Sequence, residues 1–149
     1  MNAALQELGF ITWFDEQRMR GNVAHQMANG IDNSQAVLVF VTKRYLLKVD
    51  GAGARGDNDN CKFEFEYACN RKGVEKMLSV VMEADCTDTS CWQGIVGGRF
   101  GSRLYYDFSS DDALDTAVKQ IADALEALGV KPSAGPGQQM DTPVQMEQA

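Results

Sequence analysis

The sequence predicts an α/β domain built on a parallel sheet with helices on both faces. One observation is the run Ala36–Val41, AVLVFV, which is apolar at every position and rich in valine. So short a run cannot sustain a helix, and its β-branched composition suits a strand buried on both faces. The other is alternation: helical and strand-like segments take turns on either side of it, the grammar of βαβ units. A chain of 149 residues can bury one sizeable core but not two.

The elements follow in order. Ala3, Ala4, Leu5 and Leu8 lie on one face of a short helix over residues 1–8, stopped by Gly9. Phe10–Phe14, FITWF, reads as a strand, and Asp15 opens the polar loop that Gly21 closes. From Asn22 the period turns helical, with Val23, Met27 and Ile31 repeating every four residues. The core strand comes next, after the turn formers Asp32, Asn33 and Ser34. Lys43–Val49 is compatible with a turn of helix, and Asp50–Asn60 is a loop by composition.

The segment CKFEFEYACNRKG alternates like a strand, yet Phe63 and Tyr67 sit four apart. A parallel sheet also needs a crossover here, so helix is expected, ended by Gly73. Met77–Met82 is the next buried strand and Glu83–Ser90 a loop. CWQGIVGGRFG reads as a short helix ended by Gly97 and Gly98, and Leu104–Phe108 as a last short strand. Ser110 is placed to cap a final helix, whose apolar face runs from Leu114 through Ile121 and Leu125 to Leu128. The domain is thus expected over residues 1–130, and 131–149, rich in Gln, Pro and Gly, as a disordered tail.

Bulk properties exclude several function classes. A net charge of −7 disfavours nucleic acid, which needs clustered Lys and Arg. No apolar run is long enough to cross a bilayer, no basic patch suggests a membrane surface, and no signal peptide is visible, so a cytoplasmic protein is expected. Cys61, Cys69, Cys86 and Cys91 form no CxxC pair, and read as reduced thiols. With His25 the sole imidazole, no metal site is expected.

Two glycine and acidic strings lead nowhere. GAGARG, Gly51–Gly56, has the letters of a dinucleotide-binding turn, but that turn must join a strand directly to a helix. DNDN after it lacks the glycine and glutamate of a calcium loop. Carboxylates are the better lead. Asp15 follows a strand at its carboxyl end, and Glu64 lies near the start of the helix after the core strand. Both therefore belong to the carboxyl edge of the sheet, where open α/β folds bind ligands. Glu64 has a plainer explanation too, as an anion favoured by the positive end of its helix.

Taken jointly, WFDEQRMRG, then GIDNSQAVLVFVTKRYL, then NCKFEFEYA resemble a Toll/interleukin-1 receptor (TIR) domain. The matching pieces are the loop Asp15–Gly21, Ser34 before the core strand, and Cys61 with Glu64 in the C-x-x-E helix. Trp92–Gly94 and LYYD also fall in place. The resemblance implies a flavodoxin-like sheet of strand order 2-1-3-4-5, acting as a signalling module through homotypic contacts with other TIR domains. The contact loop would be Asp15, Glu16, Arg18, Arg20 and Gly21.

Some members instead cleave nicotinamide from NAD, and Glu64 matches their catalytic glutamate. Gly21, Val23 and Asn60 would then border the substrate, with no cofactor beyond NAD itself as substrate. Glu66, about 200° around the helix from Glu64, should point elsewhere. The family's opening central strand has no counterpart before the first helix. The expectation is a domain lacking that strand, with one edge of Ala36–Thr42 either open or paired directly with Phe10–Phe14.

Overall fold

Ala36–Val41 decides the architecture because both of its faces must be covered. The computed structural model describes residues 2–14, 23–132 and 144–147. The elements run α1 (Asn2–Glu7), β1 (Thr12–Phe14), α2 (Val23–Asp32), β2 (Ala36–Val41) and α3 (Lys43–Val49). They continue through α4 (Asn60–Arg71), β3 (Met77–Val81), α5 (Gly94–Phe100), β4 (Tyr105–Asp107), α6 (Leu114–Ala127) and β5 (Val144–Glu147). The strands form one five-stranded parallel sheet in the order β1-β5-β2-β3-β4. This is the expected α/β, flavodoxin-like arrangement.

All six residues of β2 are buried, and they divide by parity between two cores. Val37, Val39 and Val41 pack with Ile31, Tyr45, Phe65 and Phe100 under α2 to α5. Ala36, Leu38 and Phe40 pack with Leu5, Phe10, Ile121 and Leu125 under α1 and α6. A strand's side chains alternate between faces, so one continuous apolar run feeds both layers. Each large side chain buried there stabilises the fold by about 1.5–3 kcal/mol.

Handedness accounts for which helix lies where. The steps β1→β2, β2→β3 and β3→β4 all travel one way along the sheet, with α2, α4 and α5 on one face. The step β4→β5 returns the other way, and a right-handed crossover then requires α6 on the opposite face.

Four expectations need correction. The slot beside β2 is neither open nor filled by Phe10–Phe14: β5 lies in it, in register with Ala36–Val39 on one side and Thr12–Phe14 on the other. The position of the family's first strand is therefore occupied, and the tail is not disordered throughout, since Val144–Glu147 belongs to the sheet. Its four residues show too little period for a sequence reading, and their partners are more than 100 residues away.

Helix α5 runs through Gly97 and Gly98 instead of ending there. A Cβ at Gly97 would overlap the Trp92 carbonyl oxygen, so glycine permits a close approach and does not break the helix. Asp50 reaches in from the end of α3, accepting from Ile95 N–H at 2.8 Å and capping that helix from 45 positions away. Finally, Ser110 makes no capping bond, and a 3-10 turn over Asp111–Ala113 leads into α6.

Phe65 is the hub of the larger core, edge-on to Tyr45 at 6.5 Å and to Phe100 at 5.5 Å. Truncation Phe65→Ala should cost about 3–5 kcal/mol in urea unfolding. A loss below about 1 kcal/mol would show that the aromatic cluster is not the anchor of this layer.

Candidate functional site

The candidate site is assembled by two neighbouring helices, α2 and α4, on one face of the sheet. Each precedes a strand of the parallel sheet, so both descend from its carboxyl edge towards its amino edge. Their lower ends are pinned by Asp32. Tyr67 Oη donates to Asp32 Oδ2 at 2.7 Å, and Arg71 Nε donates to Oδ1 at 3.1 Å. Lys72 Nζ donates to the Asp32 carbonyl at 3.0 Å, satisfying a carbonyl at the end of α2. Tyr67 and then Arg71 hold the Asp32 carboxyl below the usual carboxylate range, and the same bond raises the Tyr67 hydroxyl.

This clamp fixes where Glu64 stands. Glu64, Tyr67 and Arg71 are spaced three and four apart, so they share the face of α4 turned to α2. Glu64 lies about 10 Å above Arg71 along the helix axis. There it is only 2% exposed, and its Oε1 has no hydrogen-bond partner among the described residues. An unpaired buried oxygen of this kind costs about 1–3 kcal/mol, which packing alone gives no reason to keep.

The dipole explanation for Glu64 loses its footing. The first turn of α4 contains no acidic residue, and the macrodipole acts mainly within that turn. Its N-cap is Asp59, which accepts from Cys61 N–H at 2.8 Å and is 3% exposed, with Lys48 Nζ 3.9 Å from its carboxylate. The DNDN string thus supplies a helix cap. Glu66 turns to the other side, pairing with Lys62 at 3.2 Å. It lines a separate cleft of about 560 Å³ with Asn70, Ile95 and Arg99.

Of the other residues expected at the site, Asn60 is the first residue of α4, one turn above Glu64 on the same side. Val23 is the first residue of α2. Asp15, Glu16, Arg18, Arg20 and Gly21 lie outside the described residues. Sequence reasoning missed Asp59, although an Asp just before a helical run is a capping signal. It also missed the Asp32–Tyr67–Arg71 clamp, for which a separation of 35 residues leaves no local sign.

Residues 1–122 match the TIR domain family. The chain belongs to that family. No curated protein and no solved structure matches it. The match to the TIR family ends inside α6, so β5, the strand at the family's central position, lies beyond the matched span. At the family level, a TIR domain supports protein interaction in signalling, generally with other TIR domains, or cleavage of NAD. Among the described residues no helix is long and apolar enough to cross a membrane.

Two outcomes follow for this TIR domain. Because Asp32 has a depressed pKa, the clamp's contribution is present above the ordinary value of 3.8 and is lost as pH falls through the folded value below it. Asp32→Asn should therefore unfold at lower urea than wild type at pH 7, with the gap closing as the pH falls below 3.8 and through the lowered folded value. A gap independent of pH would contradict the clamp. Separately, Glu64→Leu removes the orphaned oxygen and should stabilise the protein to urea by roughly 1–3 kcal/mol. A comparable loss instead would mean that Glu64 is a paired structural residue.

Proposed function

We propose that this TIR domain hydrolyses the nicotinamide–ribose bond of NAD, with Glu64 as the catalytic carboxylate. The observation that supports this reading is the buried Oε1 of Glu64, which has no hydrogen-bond partner among the described residues. A group held out of water without a partner is costly in the free protein, and costs of that kind cluster where a ligand supplies what is lacking.

The chemistry suits a carboxylate. Nicotinamide departs with the electron pair of the C–N bond and leaves as a neutral base. The ribose carbon becomes oxocarbenium-like, and an adjacent anion stabilises that charge more strongly in a poorly solvated site than in water. Glu64 would also orient the ribose hydroxyls. Water then adds to the ribose carbon and sheds a proton, yielding ADP-ribose. Asn60 above Glu64 and Val23 at the start of α2 would border the substrate, with Gly21 at the end of the loop before it.

Family membership favours a second reading, a signalling module that associates with other TIR domains through Asp15–Gly21. That reading gives Glu64 no part. Incubation with NAD and chromatography of released nicotinamide separates the two. Wild-type protein should release nicotinamide, and Glu64→Gln should lower the rate by roughly 100-fold or more. Glu66→Gln should leave it unchanged, since Glu66 turns away from Glu64 to pair with Lys62 and line a cleft with Asn70, Ile95 and Arg99. No release from concentrated wild-type protein would leave only association.

A further inference from the structure

We propose that the cavity between α3 and the loop leading into α4 binds a small phosphate-bearing anion. Glu64 does not line this cavity, and the proposal does not rest on NAD cleavage.

Charge is the first support. The cavity holds about 220 Å³ and is lined by Arg44 and Lys48 from α3, Arg55 from the loop and Asp59 ahead of α4. A chain of net charge −7 repels anions over most of its surface, so cations gathered around one small space are a local exception. Arg44 and Lys48 lie four apart on one face of α3, where like charges weaken a helix. Neither Arg44 nor Arg55 forms an ion pair with a described residue. The Asp59 carboxylate is already engaged, accepting from Cys61 N–H at 2.8 Å as the cap of α4. Lys48 Nζ stands 3.9 Å from it, beyond hydrogen-bond length, so the donors of Lys48 are not used up by Asp59.

The backbone supplies further donors. Gly51 N–H donates to the Lys48 carbonyl at 3.1 Å and Ala52 N–H to the Leu47 carbonyl at 2.9 Å, tying the start of the loop to α3. Gly56 N–H donates to the Gly53 carbonyl at 3.1 Å and closes the far end. Between these ties, the N–H groups of Gly53, Ala54 and Arg55, all three residues of the cavity wall, donate to no described residue. Arg55, at φ −97° and ψ 0°, precedes Gly56 at φ +56°. That right-to-left alternation gathers successive N–H groups into an anion-binding concavity. A Cβ at Gly53 would stand 3.0 Å from Lys48 Cγ, so the missing side chain lets the loop close on the lysine stem. GAGARG therefore makes no dinucleotide turn, yet it brings its amides beside three cations.

This donor set suits phosphate. Guanidinium forks bind two oxygens of one group at once, and the amides reach the oxygens that remain. The volume lies below the roughly 300–1,000 Å³ of sites that enclose drug-sized ligands, so only the phosphate end of a larger ester would enter.

The test is a titration of full-length protein, labelled with heavy nitrogen, with inorganic pyrophosphate in metal-free buffer at constant ionic strength. Saturable shifts are expected at the amides of Gly53, Ala54 and Arg55. Arg44→Gln combined with Arg55→Gln should weaken binding roughly tenfold or more. Arg103→Gln, at an exposed position outside the cavity, should leave binding unchanged. Glu64→Gln should bind pyrophosphate as wild type does, which separates this site from NAD cleavage. Adenosine monophosphate is the second probe: shifts at the same amides assign the site a phosphate ester, and a response to pyrophosphate alone assigns it the free anion. No saturable shift at these amides with either probe would overturn the proposal, and that result needs no variant. Binding that survives the double arginine variant undiminished would overturn it as well.

Discussion

Six adjacent apolar side chains on one extended segment impose a demand that no local structure can meet. Ala36–Val41 needs a helical layer over each face and a strand along each edge. Its odd and even positions seed separate cores, one under α2 to α5 and one under α1 and α6. Each layer is positioned by the same residues that position the other. The direction of every crossover then follows from handedness, including the placement of α6 alone with α1 on the far face.

The candidate site inherits its geometry from that layering. Because α2 and α4 both precede strands of a parallel sheet, they descend side by side, and their upper ends meet at the carboxyl edge. Asp32 then fixes their relative height through Tyr67 and Arg71 at the lower end. Glu64 is held beside α2 by this clamp two turns below it, while Asp59 satisfies the helix end that Glu64 might otherwise have served. The polar contacts that tie α4 to its surroundings thus lie towards its two termini, and the unsatisfied group lies between them.

Much of this was legible locally. The helix α4 was recoverable because a parallel sheet requires a crossover, even though KFEFEY alternates like a strand. The opposite directions of Glu64 and Glu66 follow from the helical period alone, and the structure places one in the interior and the other beside Lys62. Gly97 and Gly98 misled because glycine in a helix signals either a stop or a close approach. Only the position of the Trp92 carbonyl distinguishes the two. Ser110 misled in a similar way, since a capping residue can be present without making the cap.

By itself the sequence determined the layer architecture, the elements up to α6 and the TIR family, because periodicity and motif spacing are properties of neighbouring residues. It also identified Glu64 as the carboxylate to examine. Only the tertiary structure decided that Glu64 is buried with an orphaned oxygen, since burial depends on what the rest of the chain packs around α4. Only it decided that Val144–Glu147 completes the sheet beside Ala36–Val39. A four-residue strand has almost no signal of its own, and its place is set by two edges that distant parts of the chain bring together.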